Sequence, residues 1–108
     1  DALAPALARH YLNDTQRGTA VLVGNEAVAW KLMAEASSRG ISVPEELSII
    51  AVGVKDEGHA GTLPLTVTEY DPEEIAATAF EMLLDDRKQN YRVIPRLVRR
   101  QSVADLTI

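Results

Sequence analysis

The chain has 108 residues, 46% hydrophobic and 25% charged, the make-up of one small globular domain rather than of a fibre, a disordered tail or a membrane protein. Sixteen acidic residues against 11 basic ones leave a net charge of -5, which repels a phosphate backbone and argues against this segment gripping nucleic acid by itself. With no cysteine there is neither a disulfide framework nor a thiolate metal site, a pattern compatible with a reducing cytosol. No apolar run reaches membrane-spanning length, and the chain opens at Asp1 without a start methionine or a signal-type leader, so it is expected to begin within a longer protein.

In chain order, Leu3, Leu7 and Tyr11 recur at four-residue spacing and predict a helix over 2–12, followed by the polar connection N13-D-T-Q-R-G18. T19-A-V-L-V23 is a short apolar run with β-branched residues, the pattern of a strand covered on both faces in a parallel sheet. Residues 25–39 read as a helix: Asn25 can cap its first turn, Glu35 and Arg39 stand one turn apart as an ion pair, and Gly40 supplies a left-handed stop. Pro44 forbids continuation, and L47-S-I-I-A-V52 is a second buried-type strand. Strand, helix, short loop and strand form a βαβ unit, whose strands run parallel and connect right-handedly. Residues 53–64 hold three glycines and mixed charges and read as a loop at the carboxyl end of that strand, the edge of an open α/β sheet where ligands sit. L65-T-V-T68 is a brief extended crossing. D71-P-E-E74 starts a helix to Leu84, with Asp71 as cap, Pro72 in the first turn, Glu74 completing a capping box, and Ile75, Ala79, Met82 and Leu83 on one face. D85-D-R-K-Q-N90 ends it, and L97-V-R99 is a candidate last strand.

Turned at 100° per residue, the helix over 26–39 confines Lys31, Glu35, Ser38 and Arg39 to one narrow polar arc. Val28, Ala29, Leu32 and Ala36 suffice to cover a sheet, yet Ala27, Trp30, Met33 and Ala34 continue round and need another partner. That partner is either the helix over 2–12 or a second subunit, for which the sole tryptophan is a natural anchor. The candidate interface residues are therefore Trp30, Val28, Met33 and Ala34.

Residues suited to chemistry are few. His10 and His59 lack ligands at metal-like spacing, and the pairs Glu45-Glu46, Glu73-Glu74 and Asp85-Asp86 suit helix starts and turns. No serine occupies a nucleophile elbow and no glycine run forms a phosphate loop, so neither an enzyme nor a bound metal or cofactor is expected. Lys55, Asp56, Glu57 and His59 lie on the loop at the ligand edge, where they either line a pocket or stay solvated. Asn25 is better placed: it ends a strand and starts a helix at the same edge, and its amide can donate to and accept from a hydroxyl.

The order of these motifs resembles the effector-binding domain of LacI/GalR-type transcriptional regulators. T19-A-V-L-V-G-N-E26 is similar to that family's apolar strand ending in Asn-Asp, and R39-G-I-S-V-P-E-E-L-S-I-I50 to its Arg-Gly-x-x-Val-Pro-Glu-Asp-x-Ser-Val-Val segment. L63-P-L-T66 corresponds to Pro-Pro-Leu-Thr-Thr and L97-V-R-R-Q-S102 to Leu-Val-x-Arg-x-Ser. The resemblance implies an α/β fold with a parallel βαβ sheet flanked by helices, part of a type I periplasmic-binding-protein (Rossmann-like) lobe. Residues 1–65 would belong to the C-terminal lobe, 66–90 to a crossover strand and helix, and 91–108 to a C-terminal strand and tail. The helix over 71–84 would then pack on the sheet of the other lobe, or in this chain find cover by dimerisation, exchange of elements or rearrangement.

Carried over residue by residue, the resemblance puts Asn25 where sugar-responsive members contact hydroxyls, and Tyr70 where the crossing segment offers a polar side chain to the cleft. Two departures stand out. The family's Gly-Phe/Tyr-Asp-Asp is here A51-V-G-V54, with Gly53 in place of the ligand-binding aspartate, and Glu26 replaces the usual aspartate after Asn25. Loss of that carboxylate removes a charge-assisted bond of roughly 1.5–3 kcal/mol, leaving Lys55 or Asp56 to compensate, or a ligand other than a sugar. The expectation is thus a cytoplasmic, homodimeric regulator that senses a small molecule and reads operator DNA only through an N-terminal domain outside this chain. The alternative is an extracytoplasmic sugar-binding receptor of a transporter with the same fold.

Overall fold

The computed structural model describes residues 3–58, 63–86 and 90–106. Helix α1 (Leu3–Asn13) leads to strand β1 (Ala20–Val23), helix α2 (Glu26–Ser38), strands β2 (Ser48–Val54) and β3 (Thr66–Tyr70), helix α3 (Pro72–Leu84) and strand β4 (Arg96–Val98). The sheet runs in the order β1-β2-β3-β4. Strands β1, β2 and β3 are parallel, with Val21 opposite Ile49 and Ala51 opposite Val67, while β4 returns antiparallel along the outer side of β3. Strands β1 and β2 and the helix α2 between them form the expected βαβ unit.

Local chemistry sets the ends of α2. Asn25 is extended (φ -157°) and its side chain accepts from the Val28 N–H at 3.2 Å, which satisfies one of the orphan donors of the first turn. At the other end Gly40 takes φ +72°, which lets its own N–H reach the Ser37 carbonyl and the Ile41 N–H reach the Ala36 carbonyl, at 3.1 and 2.9 Å. Arg39 pairs with Glu35 at 3.1 Å and donates to Asn13 Oδ1 at 2.7 Å, tying the last turns of α2 and α1 together. Asp71 caps α3 by accepting from the Glu73 and Glu74 N–H groups, with Pro72 behind it.

The core lies on one side of the sheet. Ile49, Ala51 and Val67 on the strands meet Ala29, Leu32, Met33 and Ala36 of α2, and Ala8 and Leu12 of α1 close the layer. Helix α1 forms where its periodicity places it, but it presents Ala4, Ala8 and Leu12 inward, leaving Leu3 and Leu7 more than half exposed. Small residues allow the two helix backbones to approach closely. Sandwiched between sheet and α1, α2 spends much of its apolar surface within the chain. Met33 is in the core, Trp30 is half-buried against it, Val28 is half-buried and Ala34 is exposed.

Three expectations need correction. Strand β2 runs on to Val54, and the supposed brief crossing is a full strand, β3, carrying a buried glutamate, Glu69. Strand β1 is not covered on both faces, for Leu22 is 65% exposed and Val52 of β2 is also exposed. The cause is α3: it contains no buried residue, and Ile75, Phe80, Leu83 and Leu84 all face outward. With that helix standing off the sheet, the radius of gyration is 16.8 Å, against about 13 Å for a compact domain of this length.

The tail after β4 stitches the sheet together. Ser102 is fully buried; its hydroxyl donates to the Ile49 carbonyl and accepts from the Thr66 N–H (2.8 Å), while its own carbonyl accepts from the Ile49 N–H (2.8 Å). The Ile49 end of these bonds lies one residue before registered pairing of β2 with β3 begins at Ile50 and Thr66. A hydroxyl is thereby spliced into the ladder where the two strands diverge.

Candidate cleft at the carboxyl ends of the strands

A cleft of about 250 Å³ opens where β1 and β2 end and α2 begins, lined by Asn25, Glu26, Gly53, Val54, Glu57 and Tyr70 among others. It brings together five of the residues singled out in the sequence: Asn25, Glu26, Gly53, Tyr70 and Glu57 of the loop. The position follows from topology, since parallel strands deliver their carboxyl ends and the following helix N-terminus to one edge. Larger hollows lie elsewhere. One of about 390 Å³ sits between Met33, Ser37 and Val43 at the opposite edge, and an apolar one of about 500 Å³ lies beside α1 and β1. Neither gathers as many converging polar groups at the ligand edge of the sheet.

Glu26 occupies the first turn of α2, where the positive end of the helix dipole favours a carboxylate. It reaches back across the sheet edge, and its Oε1 accepts from the Val54 N–H at 2.9 Å. The head of Glu26 rests directly on the Cα of Gly53, so that any Cβ at position 53 would fall inside the carboxylate. A side chain at position 53 would therefore have to push the Glu26 head aside; the constraint is close approach and not backbone conformation. A carboxylate from α2 thus lies against A51-V-G-V54, which carries none of its own.

The other two loop candidates turn away. Lys55 pairs with Asp71 at 3.4 Å, in a separate hollow of about 180 Å³ that also includes Tyr70 and Arg96. Asp56 sits in the left-handed region (φ 67°), which aspartate tolerates, and its N–H donates to Glu69 Oε2 at 3.2 Å. Neither lines the cleft; of that loop, Glu57 does. His59 lies outside the described residues, and His10 borders the apolar hollow beside α1. Among the described residues no group of three or more histidines and carboxylates could hold a metal ion.

Sequence reasoning passed over the pair that positions the loop. Glu69, buried on β3, faces Arg100 Nη2 at 3.9 Å, and Arg100 Nη1 donates to the Leu65 carbonyl at 2.8 Å while lying flat on Gly58. Gly58 in turn accepts from the Leu65 N–H at 2.8 Å. The only available signal was a lone charged residue in the strand T66-V-T-E-Y70 and an arginine two residues before Ser102. Asp71 has its carboxyl held below its ordinary value near 3.8: partial desolvation, which alone would raise it, is outweighed by the Glu74 and Glu73 N–H groups and the charge of Lys55.

Comparison with known proteins places this arrangement. Residues 2–103 match the family profile of the periplasmic binding protein-like domain. The HTH-type transcriptional repressor PurR of Edwardsiella ictaluri is 35% identical over an alignment of 103 residues that covers 90% of this chain and 30% of that protein. A PurR family transcriptional regulator from Vibrio parahaemolyticus superposes with a TM-score of 0.74 at 29% identity, over 94% of this chain and 38% of the other. A LacI family regulator from Enterococcus faecium, solved with bound ribose, gives 0.78 at 25% identity, over 96% and 40%. The chain thus spans about a third of the length of these repressors. It belongs to the periplasmic-binding-protein-like domain family, in the form carried by LacI/GalR-type regulators.

Proposed function

We propose that this chain is the effector-binding part of a transcription regulator, and that a small polar molecule, a sugar or related metabolite, binds against Asn25, Glu26, Gly53 and Tyr70. The observation that carries the reading is the convergence of those four residues in one cleft at the carboxyl edge of a parallel sheet. The Asn25 carbonyl oxygen is used in capping, which leaves its NH₂ group to donate to a ligand oxygen. Tyr70 supplies a hydroxyl that both donates and accepts. Lys55 and Asp56 act at one remove, by shaping the loop that carries Glu57. In the whole protein, a cytoplasmic homodimer, ligand binding would shift the balance between two lobe arrangements and so alter the affinity for operator DNA. The precedent is the ribose bound by the Enterococcus faecium relative.

The test is a thermal-shift screen of pentoses and hexoses on the full-length protein, followed by operator binding with and without the hit, since a ligand of the native state raises apparent stability. A hit whose effect survives Asn25→Ala together with Tyr70→Ala would refute the site. For the subunit contact, Trp30→Glu is expected to lower the mass of the full-length protein measured by light scattering. An unchanged mass would remove Trp30, and with it Val28 and Ala34 alongside, from the interface; Met33, already in the core, has little surface to offer.

A further inference from the structure

We propose that the Glu26 carboxylate seated on Gly53 sets the charge class of the ligand. The part of the ligand held by this side of the cleft bears hydroxyl or ammonium donors, and neither a phosphate nor a carboxylate. The inference rests on the small-molecule reading above and names the chemistry of that same cleft.

Oε1 is fixed by the Val54 N–H, and among the described residues Oε2 has no hydrogen-bond partner, so an oriented acceptor is left at a residue that lines the cleft. An ionised carboxylate only accepts. Glu57 adds a second negative charge to the lining, and no described lining residue is basic. The nearby cations are engaged elsewhere, Lys55 with Asp71 and Arg100 with Glu69 and the Leu65 carbonyl. A helix N-terminus would ordinarily welcome an anion, but on α2 that place is taken by Glu26 itself. An anionic group entering here would meet two like charges with no counter-charge among the described lining residues. A hydroxyl or ammonium group would instead gain a charge-assisted bond to an acceptor that is already positioned. Gly53 makes this possible, because any larger residue would displace the carboxylate.

Two matched probe sets test it on the full-length protein by calorimetry: ribose with ribose 5-phosphate, and glucose with glucosamine and glucose 6-phosphate. The expected result is that the neutral or amino member of at least one set binds at least about tenfold more tightly than its phosphate. Glu26→Gln keeps size and an acceptor for Val54 but removes the charge, and should weaken that probe about tenfold, the loss of one charge-assisted bond of about 1.4 kcal/mol. The ammonium probe should suffer more than the hydroxyl probe, which separates the two sources of donors. Gly53→Ala should reproduce the loss by moving the carboxylate. A phosphate that binds as well as or better than its parent, or an unchanged affinity in Glu26→Gln, overturns the inference while leaving the cleft as the ligand site. If no member of either set binds, the sugar-type reading fails and takes this inference with it.

Discussion

Replacing Ser102 by alanine should be the most damaging removal of a single oxygen atom in this chain. The Ser102 hydroxyl is the sole bridge between the Ile49 carbonyl of β2 and the Thr66 N–H of β3, and Ile49, Thr66 and Ser102 are all buried, with Ser102 at 0% exposure. Alanine strands one donor and one acceptor away from water, each costing about 1–3 kcal/mol. Because the two groups share one bridge their costs overlap, and a net loss of about 2–4 kcal/mol follows. Against a stability of roughly 5–15 kcal/mol for a domain of this kind, that is a large share. Urea unfolding followed by the fluorescence of the only tryptophan, Trp30, measures it directly, with the midpoint falling and the slope unchanged. Ser102→Cys, a weak donor of similar shape, should fall between the two. A loss under about 0.5 kcal/mol in Ser102→Ala would show that β2 and β3 close on each other without the hydroxyl, and that its place in the ladder is incidental.

Other substitutions probe single local devices. Gly40→Ala meets no steric neighbour within 4 Å, so its cost should be the left-handed backbone alone, about 1 kcal/mol, with Gly40→Asn milder; equal stability of all three would contradict the assigned φ. The Asp71 carboxyl is depressed in the folded chain, so its contribution is fully present above the ordinary carboxyl range and is lost as pH falls through its folded value. Amide exchange at Glu73 and Glu74 should therefore quicken below about pH 4 in the wild type and be independent of pH there in Asp71→Asn, once corrected for intrinsic exchange. Leu83→Glu, at a residue 77% exposed on α3, should leave the urea midpoint of the 1–108 chain unchanged while reducing its self-association; a clear destabilisation would mean that α3 packs on the sheet in solution.

The signals legible in the chain alone were those that act within a turn or two. Asn25, Gly40, Asp71 and Pro72 set helix ends among their own neighbours, and the apolar runs before Gly24 and Gly53 on either side of a helix marked a parallel βαβ pair, although the cover on both faces that such runs imply is missing at Leu22 and Val52. From strand, helix and strand the ligand edge followed, and with it Asn25, while Tyr70 came from the family resemblance. Tertiary structure alone decided which charges reach that edge. Lys55, Asp56 and Glu57 are adjacent in sequence and look equivalent, yet Asp71 draws the first aside and Glu69 holds the backbone of the second, leaving the third at the cleft. Glu26 could not be matched to Gly53, nor Ser102 to Ile49 and Thr66, from spacing, because those contacts join residues brought close only by the crossover and by the returning tail. Helical and strand periods report which face a residue occupies; where two distant elements meet is set by packing of the whole, and it is there that a missing side chain, as at Gly53, becomes room for another.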